Sequence, residues 1–164
     1  MIKNVVLTAL NRQIQHEQSN AHAYRAVSLY FGHLNLRSLE SFMARQAREE
    51  RVHARKLMRH VTDRGGRVEL GAIPAPKCEF ASPMEAANAV RDMERATTQS
   101  IYRLYELARK EGDYALEVLL HWYVTEQVEE EQWSGELATL MQQFHEDPAQ
   151  VFTLDRQWGE RVHA

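Results

Sequence analysis

Long stretches free of helix breakers constrain this chain most. Its seven glycines and four prolines cluster. Between the clusters, apolar residues recur at i, i+3, i+4 and i+7, the spacing of a helix with one buried stripe. The pattern predicts helices over residues 4–31, 37–64, 83–111, 113–144 and 148–161. Gly32 ends the first, Gly65-Gly66 the second and Gly112 the third. Ser82-Pro83-Met84-Glu85 opens the third helix, with Ser at the cap, Pro in the first position and Glu three after the cap. Asp113 caps the fourth helix and Asp147-Pro148 the fifth. No alternating strand pattern appears. The short turns between the first two helices, and between the third and fourth, make antiparallel pairs. The segment "GRVELGAIPAPKCEFAS" holds two prolines and has no helical period. At roughly 3.3 Å per residue it can run back along a helix of about 40 Å. The expected fold is all-α, one domain over residues 1–164: a four-helix bundle of two hairpins joined by one long crossover, with a short C-terminal fifth helix.

Charge and cysteine usage narrow the function classes. The net charge is −3 and there is no basic tail, so binding nucleic acid by phosphate neutralisation is disfavoured. No apolar run approaches the roughly 18 residues of a membrane span. The N-terminus turns polar too soon for a secretory signal. The expected location is cytoplasmic, with no nucleic-acid or membrane partner. Cys78 is the single cysteine, which excludes an intrachain disulfide and a Cys-x-x-Cys metal knuckle.

The apolar stripes are themselves interrupted. In the first helix Leu7, Leu10 and Ile14 give way to Glu17 before Ala21, Tyr24 and Val27 resume. The second passes from Leu39, Phe42 and Met43 through Gln46, Glu50 and His53 to Leu57 and Val61. The third carries Glu94 and Thr97 between Val90 and Ile101, and the fourth carries Gln127 and Glu130 between Tyr123 and Leu137. Each interruption falls near the middle of its helix, and antiparallel helices of similar length have their midpoints at one level. Glu17, Glu50, His53, Glu94, Gln127 and Glu130 are therefore expected to converge in one layer. Each ion buried there costs several kcal/mol unless compensated. No cationic residue sits on the stripes at that height, so cations are expected to supply the missing charge. Four carboxylates and one imidazole suit one or two divalent metals such as Fe, Mn or Zn. A structural polar layer without metal is the competing reading.

At these residues, in "ARQAREERVHARKL" and "HWYVTEQVEEEQ", the chain resembles the bacterial non-haem ferritins of the ferritin-like di-iron superfamily, and the resemblance covers its whole length. It implies iron storage and detoxification. Fe(II) would be bound, oxidised with O2 or H2O2 at a di-iron ferroxidase centre within the subunit, and stored as an Fe(III) mineral inside a homo-oligomeric shell of 24 subunits. It implies that Glu17, Glu50 and His53 hold the tighter iron, with Glu50 bridging, and that Glu94 and Glu130 hold the second. Gln127 matches the glutamine beside the second iron. Tyr24 matches the tyrosine beside the centre, which can hydrogen-bond a ligand and donate an electron. Glu49, Glu126 and Glu129, with Glu130, resemble a third iron site; an exposed charge run explains them almost as well.

Departures from related patterns refine the expectation. The fourth helix carries Gln127-x-x-Glu130 instead of a second Glu-x-x-His, so a symmetric bacterioferritin or rubrerythrin centre is disfavoured and the second iron should be held more weakly. Arg51 stands where bacterioferritins place a haem-ligating Met, so no haem is expected. The resemblance sets Glu117, with His121 near it, in an entrance pore on the three-fold axis, and Leu120 in place of a second pore acid; an exposed glutamate explains Glu117 at least as well. The resemblance also sets the fifth helix, with Val151, Leu154 and Trp158 on one side, along a four-fold channel; packing on its own subunit is the other reading. His16, His22, His33, His60, His121, His145 and His163 show no paired ligand spacing. The alternative function is a di-metal Fe or Mn oxidoreductase or peroxidase that stores no mineral.

Overall fold

The computed structural model of the chain describes residues 2–162, so His163 lies outside the described residues. They form five helices and no strand: α1 (Asn4–His33), α2 (Arg37–Asp63), α3 (Pro83–Glu111), α4 (Tyr114–Phe144) and α5 (Pro148–Val162). The helices α1 and α2 form one hairpin, α3 and α4 the other, and α1 packs against α3 to join them. No helix among the described residues is long and apolar enough to cross a membrane.

The helix ends follow local chemistry, with one difference from the sequence reading. Ser82 accepts a hydrogen bond from the Glu85 amide, and Asp113 accepts one from the Leu116 amide. Gly112 adopts the left-handed conformation (φ 67°) that closes α3, where a side chain would be strained. The first helix, however, runs one residue past Gly32. The left-handed residue of that turn is Asn35 (φ 61°), a residue type that tolerates the conformation. Leu36 then donates its amide back to the Phe31 carbonyl and closes the turn.

Two longer-range devices hold the outer elements. Asn11 and Gln15, one turn apart on α1, grip the crossover as a neighbouring strand would. The Asn11 amide donates to the Arg67 carbonyl and accepts from Glu69 N, while the Gln15 amide donates to the Ala72 carbonyl and accepts from Gly71 N. The helix α5 docks on its own subunit, burying Val151, Leu154 and Trp158 against the upper core. It lies so close to α2 that a Cβ on Gly159 would come within 2.6 Å of Ser38 Oγ. The N-terminus of α2 has no side-chain cap of its own. Asp155 of α5, 6% exposed, supplies it, accepting from Leu39 N at 2.8 Å and Ser38 N at 3.3 Å. Replacing a cap by Ala costs about 1 kcal/mol. Asp155→Ala is therefore expected to lower the thermal midpoint by a few degrees in a melting scan, and Asp155→Asn by less. An unchanged midpoint would show that the cap contributes nothing.

The core is split. Tyr24, Val27, Phe31, Leu39, Phe42 and Leu137 belong to an upper apolar cluster, and Val6, Leu10, Ile14, Leu57, Ile101 and Leu116 to a lower one. Between them lies a polar belt. Leu120, which by resemblance replaces a second pore acid, is fully buried in the lower cluster.

Candidate metal centre

Each long helix sends polar groups into the belt from the midpoint of its stripe. Glu17 comes from α1, Glu50 and His53 from α2, Glu94 from α3, and Gln127 and Glu130 from α4. All six are buried: Glu17 and Glu94 are fully shielded, and Glu130 is the most open at 8%. Among the described residues, no lysine or arginine is buried with them.

Three of these residues form a donor set. Glu17, Glu50 and His53 each offer one ligand atom, and the three atoms lie within 4.8 Å of one another. Donors bound to one divalent ion at about 2.1 Å lie up to about 4.2 Å apart, so a small closure brings them to bonding distance. The His53 and Glu50 side chains are three residues apart on one helix face, with Nδ1 3.5 Å from Oε2. One oxygen of Glu17 and one of Glu50, Oε2 in each, is buried without a hydrogen-bond partner. A buried, unpaired carboxylate oxygen is costly in a protein and is what a cation would satisfy.

Glu94 and Glu130 sit in the same belt but outside that group, each engaged with neutral donors. Tyr24 donates its hydroxyl to Glu94, and Gln127 Nε2 reaches Glu94 Oε2 at 3.2 Å. Glu130 Oε2 accepts from Gln46 Nε2 at 2.8 Å and from Trp133 Nε1 at 2.6 Å. Glu49, Glu126 and Glu129 lie outside the belt. With Glu130 they line a groove of about 310 Å³ between α2 and α4. Arg45 approaches Glu49 to 3.7 Å there and offers it a competing partner.

The electrostatics express the charge imbalance. Burial, and then the neighbouring Glu50, raise the Glu17 carboxyl well above the usual carboxylate range. Burial also raises Glu50 well above that range, against a lowering contact with Glu17, with Glu94 and Glu130 adding to the rise. Glu94 is raised by burial, opposed by the hydrogen bonds from Tyr24 and Gln127. Glu130 is pushed up to about 8, by burial first and the charge of Glu94 second. Tyr24 is raised well above its ordinary value by burial and by Glu94, so it stays a neutral donor. The belt thus favours protons, or cations in their place, and its oxygen-rich donors with one imidazole suit a divalent first-row metal.

Sequence reasoning missed polar groups packed around these side chains. Gln13 donates to Glu17, Asn20 and His16 meet on Thr97, and the Tyr123 hydroxyl donates to the His53 carbonyl. Gln13 and Asn20 stand four residues before and three after Glu17, on the same face, and that spacing was the available signal.

Comparison with known proteins agrees with this architecture. Residues 7–144 match the ferritin-like domain family. A bacterial non-heme ferritin of Staphylococcus aureus is 34% identical over 162 residues, 99% of this chain and 98% of that protein. One from Staphylococcus haemolyticus is 40% identical over 131 residues, 80% of this chain and 79% of that protein. Among solved structures, an open-pore ferritin from Archaeoglobus fulgidus aligns with a TM-score of 0.93 at 36% identity, covering 96% of each chain. A humanized archaeal ferritin aligns with a TM-score of 0.94 at 35% identity, over 97% of this chain and 98% of that one.

Proposed function

Because this chain belongs to the ferritin family, we propose that it stores iron, taking up Fe(II), oxidising it within the subunit and holding the Fe(III) product as a mineral inside a shell of identical subunits. The observation that carries the reading is the buried belt of four carboxylates and one imidazole at the middle of the bundle, with no lysine or arginine buried beside it among the described residues. Two Fe(II) ions bring the four positive charges that four carboxylates need.

In this reading Glu17, Glu50 and His53 hold the first Fe(II), and Glu50 extends to the second, which Glu94 and Glu130 share. Binding displaces the protons that burial places on these carboxylates. The two irons together give up the two electrons that reduce O2 to H2O2, or that cleave H2O2 to water. The hydrogen bond from Tyr24 to Glu94 supports a role for Tyr24 in orienting that ligand and in donating a further electron to the oxidant. Gln127 beside Glu94 is a weaker donor than a second histidine, which suits an iron that must leave for a mineral. The acidic groove of Glu49, Glu126 and Glu129 opens beside Glu130 and supports a third, transient iron position.

Shell assembly accounts for apolar side chains that a lone chain leaves in water. Tyr114, Val118, Leu70, Val128 and Leu29 are all more than half exposed. Exposed apolar surface of this kind marks contact sites, and twenty-four subunits is the assembly we propose. A cytoplasmic location follows from the same reading.

Aerobic loading with Fe(II), followed by size exclusion with iron detection, tests storage. Many irons per chain are expected to co-elute with a shell-sized particle. One or two irons per chain at any added excess would instead support a di-metal oxidoreductase.

A further inference from the structure

Glu17 has its two oxygens in different surroundings. Oε1 accepts from the Gln13 side-chain amide at 2.7 Å, one helical turn earlier on α1. Oε2 is buried without a partner and belongs to the residue that meets Glu50 and His53. Gln13 is itself 3% exposed, and its own oxygen accepts from the Ser100 hydroxyl of α3 at 2.5 Å. Ser100 and Gln13 lie in the wall of a surface groove of about 470 Å³ between α1 and α3. A chain of two hydrogen bonds therefore runs from that groove, through a buried amide, to one oxygen of Glu17.

We propose that Gln13, braced by Ser100, is a positioning residue for the first iron site. It commits one oxygen of Glu17 to the protein and presents the other to the cation shared with Glu50 and His53. A glutamate side chain left to itself gives up rotamer freedom when a metal fixes it. Here the amide fixes it in advance, and the helix-to-helix tie through Ser100 fixes the amide. Glu17 is thereby a single-oxygen ligand, which leaves coordination space for the oxidant. Partners that orient a metal ligand from behind are worth 10–100-fold in metal affinity. This inference rests on the iron reading above.

The test uses the assembled, chelator-treated protein titrated with Co(II), followed by the visible bands of the bound ion. Gln13→Leu keeps the bulk and removes both hydrogen bonds, and is expected to weaken the first binding step about 10–100-fold. Ser100→Ala, at a hydroxyl that is only half-buried, carries little risk to folding and should weaken it in the same direction by less. Ser100→Thr keeps the hydroxyl and should restore binding. In Fe(II) oxidation, the half-saturating Fe(II) concentration should rise in Gln13→Leu, while the rate at saturation stays within about threefold. A role confined to helix packing would shift the melting point and leave this split unmoved. If the parent binds Co(II) and Gln13→Leu binds it equally well, the positioning role is overturned. If the parent takes up no Co(II), the iron reading fails and this inference fails with it.

Discussion

The double variant Glu50→Ala with His53→Ala is expected to remain an assembled helical protein and to lose rapid Fe(II) oxidation. The initial rate of Fe(III) formation should fall by more than about 100-fold, because losing even the partners behind a metal ligand costs 10–100-fold. These two side chains are two of the three whose candidate ligand atoms converge, and in the proposed reading Glu50 serves both irons. The fold should tolerate the change. The Tyr123 hydroxyl is held by the His53 backbone carbonyl, which the substitution leaves in place. The imidazole does pack edge-on against Trp122 and Tyr123, with centroids 5.3 and 6.0 Å away, and that contact is lost. Against this loss, a buried carboxylate with an unpaired oxygen disappears, which relieves the belt. Size exclusion and circular dichroism check assembly, and stopped-flow absorbance checks the rate. An unchanged initial rate in an intact assembly would remove Glu50 and His53 from the site.

What could be read from the sequence was what obeys a period. Four stripes of 3.6-residue spacing announced the helices, and a carboxylate at the midpoint of each announced the belt. Both are local patterns whose meaning survives any detail of packing. What could not be read depends on register between helices. Nothing in "DPAQVFTLDRQWGERV" shows that Asp155 will reach across to the amides of Ser38 and Leu39. Nothing in the first helix shows that Asn11 and Gln15 will hold the crossover and not face water. The partition within the belt has the same origin. Glu94 turns to Tyr24 and Gln127, and Glu130 to Gln46 and Trp133, because those donors face them across the bundle. Gly32 misled for a different reason: a glycine invites a helix end, but the left-handed residue can be supplied by Asn35 three positions on.

Glu130→Gln is expected to make the chelator-treated protein more stable at alkaline pH and the metal-loaded protein less stable. Burial and the charge of Glu94 raise Glu130 from its ordinary value of 4.5 to about 8 in the folded chain. A carboxyl with a raised folded value favours its neutral form. Its contribution to stability is therefore complete below about 4.5 and is lost as pH rises toward 8. Above that, the parent carries a buried charge whose cost is on the order of a few kcal/mol, whereas glutamine stays neutral. The substitution keeps the local hydrogen bonds, because the amide oxygen can still accept from Gln46 Nε2 and Trp133 Nε1. Melting scans in chelator should find the variant several degrees above the parent at pH 8.5, with the gap closing toward pH 5. Excess Zn(II) at pH 8.5 should reverse the order. The ionised Glu130 then becomes a ligand, and binding stabilises the parent by mass action more than a variant short of one donor. Identical pH slopes for parent and variant in chelator would show that Glu130 is not held protonated by its surroundings. Loss of the reversal with Zn(II) would remove it from the second metal position.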